Sequence, residues 1–283
     1  MIFKIWHHTR YLYSHKVFLE PHYLRFKPLQ KSYLTLNHFH LKMDPEPVGL
    51  SFASDAENNP ITQIWFNDQI DSLDIDVQIE VSVTEDYDFF SFILDPYCKL
   101  GTREPVYSQT LSDFFKPYLK GEVSGKIKSY VDTIIRKNDG EIIPTLFSLT
   151  DHIYREWEHH LVIETSELDS ENCFREKAGS CRDLSWMLIE MLRYTGLAAR
   201  YVSGYTYNDE LDDGHELHAW VEVYLPGAGW IGIDPSAGIF VHEKYIPVSA
   251  SFNPANTMPV TGNFRGNANS KMETHVSIEQ IDD

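Results

Sequence analysis

The chain has few cysteines, three among 283 residues. An odd and small number of cysteines argues against the disulfide framework that stabilises small secreted domains. No run approaches the ~18 consecutive apolar residues of a transmembrane helix. The first ten residues turn polar at Lys4 and leave no room for the hydrophobic region of a secretory signal. We therefore expect a soluble protein of the cytoplasm, a reducing compartment, with no membrane partner.

Positive charge is also scarce, because 24 Lys and Arg residues stand against 42 Asp and Glu residues, giving a net charge of −18. This balance disfavours nucleic acid as a partner, since binding to phosphates needs a clustered basic surface. The deficit is uneven: residues 1–31 carry six basic residues and one acid, whereas residues 201–243 carry eight acids and no Lys or Arg. Five of these acids are close together in sequence: Asp209, Glu210, Asp212, Asp213 and Glu216. They form either a solvated loop or a rim that attracts cationic substrates.

The first part of the chain has the pattern of an antiparallel β domain. In residues 73–83, β-branched and leucine residues alternate with polar ones, which predicts a strand with one face in water. Weaker alternation occurs in four further segments, separated by proline and asparagine turns: 3–13, 15–26, 33–41 and 61–67. We predict a small antiparallel sandwich and a β-rich N-terminal domain covering residues 1–110.

The apolar spacing changes to a helical period after about residue 120. Two helices are predicted around Val123–Ile134 and Leu146–Trp157, and a third around Leu184–Leu192. Strands are expected to follow at 197–205, 218–225 and 230–234. The tail after about residue 248 is rich in Ser, Asn, Pro and Gly and is predicted to be irregular. The chain is thus of the α+β class, with residues 111–283 forming a second domain in which helices precede an antiparallel sheet.

Cys181 is the cysteine best placed for chemistry. Ser180 and Asp183 have the spacing of a capping box, which places Cys181 in the first turn of the third helix. The helix dipole lowers the pKa of a thiol there, and the thiolate is the reactive species. By position alone the alternative is a buried structural cysteine, the commoner role of a single Cys. Cys98 and Cys173 are interpreted as structural.

His218 and Asp234 are the candidate base and orienting group for such a thiolate. His218 begins one predicted strand, and Asp234 ends the next, after the Pro226–Gly229 turn. In an antiparallel hairpin, the numbers of directly opposite residues have a constant sum. This sum must be 452 for His218 to lie opposite Asp234, whereas a tight four-residue turn at 226–229 would place His218 opposite position 237. The triad hypothesis therefore predicts a wider loop or a bulge near this turn.

These segments together resemble the transglutaminase-like superfamily. The resemblance covers the nucleophile segment, the strand after its helix, the histidine strand and the aspartate strand: Gly179–Asp183, Leu192–Tyr205, His218–Tyr224 and Gly229–Ser236. The order Cys, His, Asp fits the family. Two flanking regions are similar to bacterial members: Pro259–Gly266 resembles their tail segment, while His8–Tyr13 and Leu24–Pro28 resemble their N-terminal β region more loosely.

The resemblance implies a papain-like core in which His218 deprotonates Cys181 and Asp234 fixes the His218 tautomer. It implies attack on an amide carbonyl to give a thioester acyl-enzyme, with a peptide or protein as substrate and without a cofactor. A cysteine peptidase or amidase is favoured over a cross-linking transglutaminase, in which a lysine amine replaces water as acceptor. The backbone N–H of Cys181 is expected to be one oxyanion donor. The second donor is not identified.

Two other classes of function are kept as alternatives. A non-catalytic binding module could retain the fold, and a large distance between Cys181 and His218 would favour it. Paired histidines also suggest metal binding: His7 with His8, His38 with His40, His159 with His160, and His215 with His218. We expect no metal centre, because the ligand spacings of known zinc motifs are missing.

Overall fold

The structure is a computed structural model that describes residues 1–84, 87–95, 98–101, 106–160, 168–208 and 217–281. The described N-terminal strands are β1 (Ile2–Leu19), β2 (His22–Leu24), β3 (Leu34–Asp44), β4 (Gly49–Ser54), β5 (Pro60–Trp65) and β6 (Ile70–Val83). They form two antiparallel sheets, one built on β1, β6 and β3 and the other on β2, β5 and β4. The alternation that predicts β6 is confirmed, because Leu73, Ile75 and Val77 are buried between more exposed polar residues.

Helices fill the middle of the chain. They are α1 (Gln109–Phe114), α2 (Lys116–Leu119), α3 (Gly125–Lys137), α4 (Ile142–Glu156), α5 (Ser170–Glu176) and α6 (Cys181–Tyr194). Helices α3, α4 and α6 correspond to the three predicted helices. Two short strands, β7 (Glu158–His159) and β8 (Ala178–Gly179), pair in parallel just before α6.

A further sheet, of five antiparallel strands, packs against α6. Its strands are β9 (Ala199–Thr206), β10 (Leu217–Leu225), β11 (Gly229–Asp234), β12 (Ile239–Phe240) and β13 (Tyr245–Ser251), in the order β12-β11-β10-β9-β13. Leu184, Leu188 and Met191 of α6 are fully buried in one core with Val221 and Val223 of β10. This helix-on-sheet packing confirms the predicted α+β class.

The prediction of an irregular tail is wrong. A 3₁₀ turn (Pro254–Thr257) leads to β14 (Val260–Thr261), β15 (Phe264–Arg265) and β16 (Ser270–Ile281). Strand β16 pairs with β1 along its whole length, from Ile2 opposite Ile281 to Tyr13 opposite Ser270. Only Val276 and Ile278 of β16 are buried, so its apolar alternation is too short to stand out from the Ser- and Asn-rich segment before it. The division into domains 1–110 and 111–283 stays a prediction.

Candidate active site

Cys181 is the first residue of α6, and the predicted capping box holds this end of the helix. The N–H of Asp183 donates to Ser180 Oγ at 3.4 Å, and the N–H of Ser180 donates to Asp183 Oδ2 at 2.9 Å. Gly179 precedes the box at a crowded point, because a Cβ there would lie 2.8 Å from the Asp183 Cβ. As the first helical residue, Cys181 has a backbone N–H without an acceptor inside the helix. Its half-buried thiol therefore lies at the positive end of the helix dipole.

His218 lies on β10, and its side chain contacts both other predicted residues. Its Nε2 is 2.7 Å from Oδ2 of Asp234, and its side chain also forms a hydrogen bond with the Cys181 thiol. The three residues that the sequence places on one helix and two strands are thus connected through the His218 side chain. The imidazole ring is mostly buried, at 19% exposure, and Asp234 is fully buried.

Asp234 is held by Tyr245, Ser236 and Ala237 besides His218, the Ala237 N–H donating to Oδ1 at 3.3 Å. The hydroxyl of Tyr245 donates to Asp234 Oδ2 at 2.7 Å, while the Ser236 backbone N–H and hydroxyl donate to Oδ1 at 2.9 and 2.7 Å. Burial opposes the ionisation of Asp234, but the charge of His218 and these hydrogen bonds lower the pKa of this carboxyl to about 2. The carboxylate therefore stays ionised and fixed beside the imidazole.

The predicted wide loop or bulge at the hairpin is wrong. Leu225 pairs with Gly229, and Val221 pairs with Ile233, so paired residue numbers sum to 454 around a three-residue loop. Continued by three residues beyond the Val221–Ile233 pair, this register places position 236 opposite His218. Asp234 instead lies diagonally from His218 on the same face, a spacing that long side chains can bridge. Direct opposition is therefore not needed for the contact.

The electrostatics of the pair favour a thiolate and an imidazolium. Burial opposes the ionisation of Cys181, but hydrogen bonds from His159 and His218 and the charge of His218 lower the pKa of the thiol to about 6. The backbone N–H of Ala219 also stabilises the thiolate. Burial likewise disfavours the charged His218, yet Asp234 and Cys181 raise the pKa of this imidazole well above its ordinary value. Both shifts follow from opposite charges held at short range.

The environment of Cys173 and Cys98 differs from that of Cys181. Burial raises the pKa of the Cys173 thiol to about 12, and nearby Asp183 and Asp169 add to this shift. Burial also raises the pKa of Cys98. Both remain protonated thiols near neutral pH, in accordance with their structural interpretation.

Sequence reasoning missed His159, Ser236 and Tyr245 as contributors to the site. His159 lies 22 positions before Cys181, and the only signal for it in the sequence is its place in a histidine pair. Tyr245 is on β13, outside every segment singled out. Ser236 is the one of the three that local sequence could have identified. It directly follows the Asp-Pro pair, where a serine hydroxyl is expected to donate to the preceding aspartate carboxylate.

Three of the four histidine pairs lie wholly within the described residues, and their surroundings differ. His7 is buried against Tyr205 and Thr9, while its neighbour His8 faces Asp76 on the opposite side of β1. His38 and His40 stack at 6.3 Å on the same face of β3. Within the described ranges, no group of three His, Cys, Asp or Glu residues is arranged to hold a metal ion. His215 and the five clustered acids of residues 209–216 lie outside the described residues.

Two protein families match separate parts of the chain. Residues 128–235 match the transglutaminase-like superfamily, and residues 3–82 match the bacterial transglutaminase-like N-terminal region. The first match contains Cys181, His218 and Asp234. The second covers the strands β1 to β6 except for the first residue of β1 and the last residue of β6. No described helix is long and apolar enough to cross a membrane.

Individual relatives are more distant. An uncharacterized protein of Mycobacterium tuberculosis is 28% identical over 148 residues, which are 48% of this chain and 47% of that protein. The chain thus spans about half the length of the first curated relatives it matches. A protein-glutamine gamma-glutamyltransferase of Pseudomonas aeruginosa is 33% identical over 70 residues, 22% of this chain and 10% of that enzyme. The crystal structure of a candidate cysteine protease from Cytophaga hutchinsonii superposes with a TM-score of 0.70 at 17% identity, over 100% of this chain and 91% of that one, which shows a shared fold.

Proposed function

The chain belongs to the transglutaminase-like superfamily and carries the bacterial transglutaminase-like N-terminal region, and on this basis we propose that it is a thiol-dependent amide-bond hydrolase. The observation that carries the proposal is the contact series from the Cys181 thiol through His218 to Asp234, whose last step measures 2.7 Å. A binding module has no need for a thiol of lowered pKa beside an oriented imidazole.

The proposed reaction proceeds through a thioester acyl-enzyme. Cys181 Sγ attacks the amide carbon, and the carbonyl π electrons move to oxygen. When the C=O bond forms again, the C–N bond breaks, and His218 protonates the leaving amine. His218 then removes a proton from water, which attacks the thioester and releases the acid. Asp234 stays ionised throughout and holds the imidazole in the required tautomer.

Hydrolysis is the preferred outcome because water needs no dedicated pocket. The His159 side chain that contacts Cys181 is exposed, so the thiol lies close to solvent. Transfer to a lysine amine is the second candidate. It is supported by the 70-residue similarity to the Pseudomonas aeruginosa protein-glutamine gamma-glutamyltransferase. Both reactions share the acylation step and the same three residues.

The two reactions are separated by their products. The protein is incubated with a peptide library, with and without a primary-amine probe, and the products are identified by mass spectrometry. We expect peptide cleavage without incorporation of the amine, and its loss in Cys181→Ala. Cys98→Ser is the matched control and should retain activity. Amine incorporation would select the transglutaminase, and activity unchanged in Cys181→Ala would refute both.

A further inference from the structure

His159 is held beside the nucleophile by backbone contacts that do not involve the triad. Helix α4 ends at Glu156. The next residue, Trp157, is buried, and its indole N–H donates to the Cys173 carbonyl at 3.1 Å, which fixes the chain at this point. The chain then pairs in parallel with β8, where the Glu158 N–H donates to Lys177 O at 2.8 Å and the His160 N–H donates to Gly179 O at 3.0 Å. This pairing places His159 opposite Gly179, two residues before Cys181.

The side chain of His159 forms a hydrogen bond with the Cys181 thiol, as His218 does from the sheet side. The two histidines differ in their other contacts. His218 is mostly buried and bound to Asp234, whereas His159 is exposed, and no carboxylate among the described residues contacts its ring. A histidine without an orienting carboxylate is less suited to act as the base of the triad, but its ring N–H remains a good hydrogen-bond donor.

We infer that His159 is the second oxyanion donor of this enzyme, acting with the backbone N–H of Cys181 on an amide or ester substrate. The inference rests on the proposed function, because an oxyanion arises only if Cys181 attacks a carbonyl. The oxygen that becomes negative is bonded to the carbon that Sγ attacks, so it lies next to Sγ. A donor that already reaches the thiolate is therefore close to where the charge develops.

The step moves no proton through His159. As the S–C bond forms, the carbonyl π pair becomes a lone pair on oxygen, and the His159 N–H turns from the sulfur, which loses its charge, to the oxygen, which gains it. The hydrogen bond returns to the sulfur only after the thioester has been hydrolysed and the thiolate is formed again. His159 thus stabilises the transition state without being consumed, while His218 carries the proton to the leaving group.

Two reactions of Cys181 separate this role from thiolate formation. Acylation by p-nitrophenyl acetate passes through an oxyanion, whereas alkylation by iodoacetamide does not. At pH 8 we expect His159→Leu to slow acylation by about 10²- to 10³-fold, the effect of losing one oxyanion donor. Alkylation should change by less than a few fold. His159→Gln keeps an N–H donor and should recover most of the acylation rate, and the neighbouring His160→Leu should change neither rate.

Each other result is decisive. If the unaltered protein acylates and His159→Leu does so equally fast, the inference is wrong and the proposed function stands. If His159→Leu loses alkylation and acylation in parallel, the residue only maintains the thiolate, and if His159→Gln is as slow as His159→Leu, the ring does more than donate an N–H. Either result overturns the inference. If the unaltered protein forms no acyl-enzyme, the proposed function fails first and takes the inference with it.

Discussion

Tyr245 donates its hydroxyl hydrogen bond to Oδ2 of Asp234 at 2.7 Å, the same oxygen that His218 Nε2 contacts at 2.7 Å. One carboxylate oxygen therefore serves both the imidazole and a phenol from β13. The Tyr245 backbone is itself fixed, because the hydroxyl of Tyr33 donates to its carbonyl oxygen at 3.1 Å. The N-terminal β region, through Tyr33, thus supports the residue that orients the proposed catalytic aspartate.

Replacing Tyr245 with Phe should lower both stability and acylation. A hydrogen bond to a buried charge contributes about 1.5–3 kcal/mol, so we expect the free energy of unfolding to fall by that amount. The acylation rate should fall several-fold, because Asp234 is then held less firmly. Urea unfolding and p-nitrophenyl acetate kinetics measure the two effects.

The matched control for this change is Tyr107→Phe, which also removes one buried tyrosine hydroxyl, but one that contacts only the Tyr224 carbonyl and the Ala198 N–H. It should cost about 1–3 kcal/mol, because it leaves buried backbone groups without a partner, and it should leave the rate almost unchanged. Equal losses of rate in the two variants would contradict a specific role for Tyr245.

The pH dependence of acylation should be bell-shaped. The rate should rise with deprotonation of Cys181, whose pKa is lowered to about 6, and fall where His218 loses its proton, well above the ordinary histidine range. Both limbs are properties of the coupled pair. Asp234→Asn removes the charge that raises the His218 pKa, so the alkaline limb should move to lower pH. The maximal rate should also fall by about 10³- to 10⁴-fold.

This prediction is checked by kcat/KM profiles measured from pH 4 to 10. Asp76→Asn, at an exposed aspartate on β6, is the matched substitution and should leave the profile in place. An alkaline limb that does not move in Asp234→Asn would show that the carboxylate does not hold the proton on His218.

Glu222 should stabilise the contact between the N-terminal region and the sheet that carries His218. It is almost fully buried on β10 and pairs with Lys31 at 2.5 Å and with Arg200 at 2.5 Å. Removing one partner of a buried ion pair is strongly destabilising, so Glu222→Gln should lose about 3 kcal/mol at pH 7. Glu243→Gln, at a more exposed position, should lose less than about 1 kcal/mol.

The loss should depend on pH. Burial opposes ionisation of Glu222, but Lys31 and Arg200 lower the pKa of this carboxyl to about 2, below its unfolded value of about 4.3. A carboxyl with a depressed folded pKa stabilises the fold above its unfolded pKa, and this contribution is lost as the pH falls towards 2. The difference in free energy of unfolding between the unaltered protein and Glu222→Gln, measured by urea titration, should therefore shrink below about pH 4. A difference that is independent of pH would point to packing instead.

His7 should make the protein less stable in mild acid. Burial, with His8 and His275 adding to it, lowers the pKa of His7 to about 4. The unfolded chain binds the proton near pH 6.5, so stability falls as the pH drops from 6.5 to 4, by about 3 kcal/mol in total for this residue. His7→Gln should be less stable at neutral pH, because the contact with Tyr205 at 2.8 Å is altered, but it should lose less stability on acidification.

His15→Gln provides the control on the same strand. Its side chain is exposed and contacts Ser14 Oγ at 3.1 Å, and it is not among the groups that shift the pKa of His7. Thermal or urea unfolding at a series of pH values compares the slopes of the three proteins. A slope in His7→Gln equal to that of the unaltered protein would assign the acid sensitivity to other groups.

The local sequence pattern was sufficient to predict several helices and strands of this protein and the segments that carry its candidate site residues. The capping box at Ser180 and Asp183, the helical spacing of α6 and the alternation of β6 each depend on neighbours within a few residues, whose hydrogen bonds and burial follow from chain geometry. The segments that carry Cys181, His218 and Asp234 could be identified for the same reason. Their assignment as a catalytic triad stays a prediction.

Tertiary structure decided what local pattern could not. The diagonal His218–Asp234 contact depends on the register of the β10–β11 hairpin. The sequence pattern left open whether paired residue numbers sum to 452 or to 455, and in the structure they sum to 454. His159, Tyr245 and the pairing of β16 with β1 depend on segments distant in sequence packing together. Such contacts are selected by burial and hydrogen bonding of the whole fold, and no short-range periodicity encodes them.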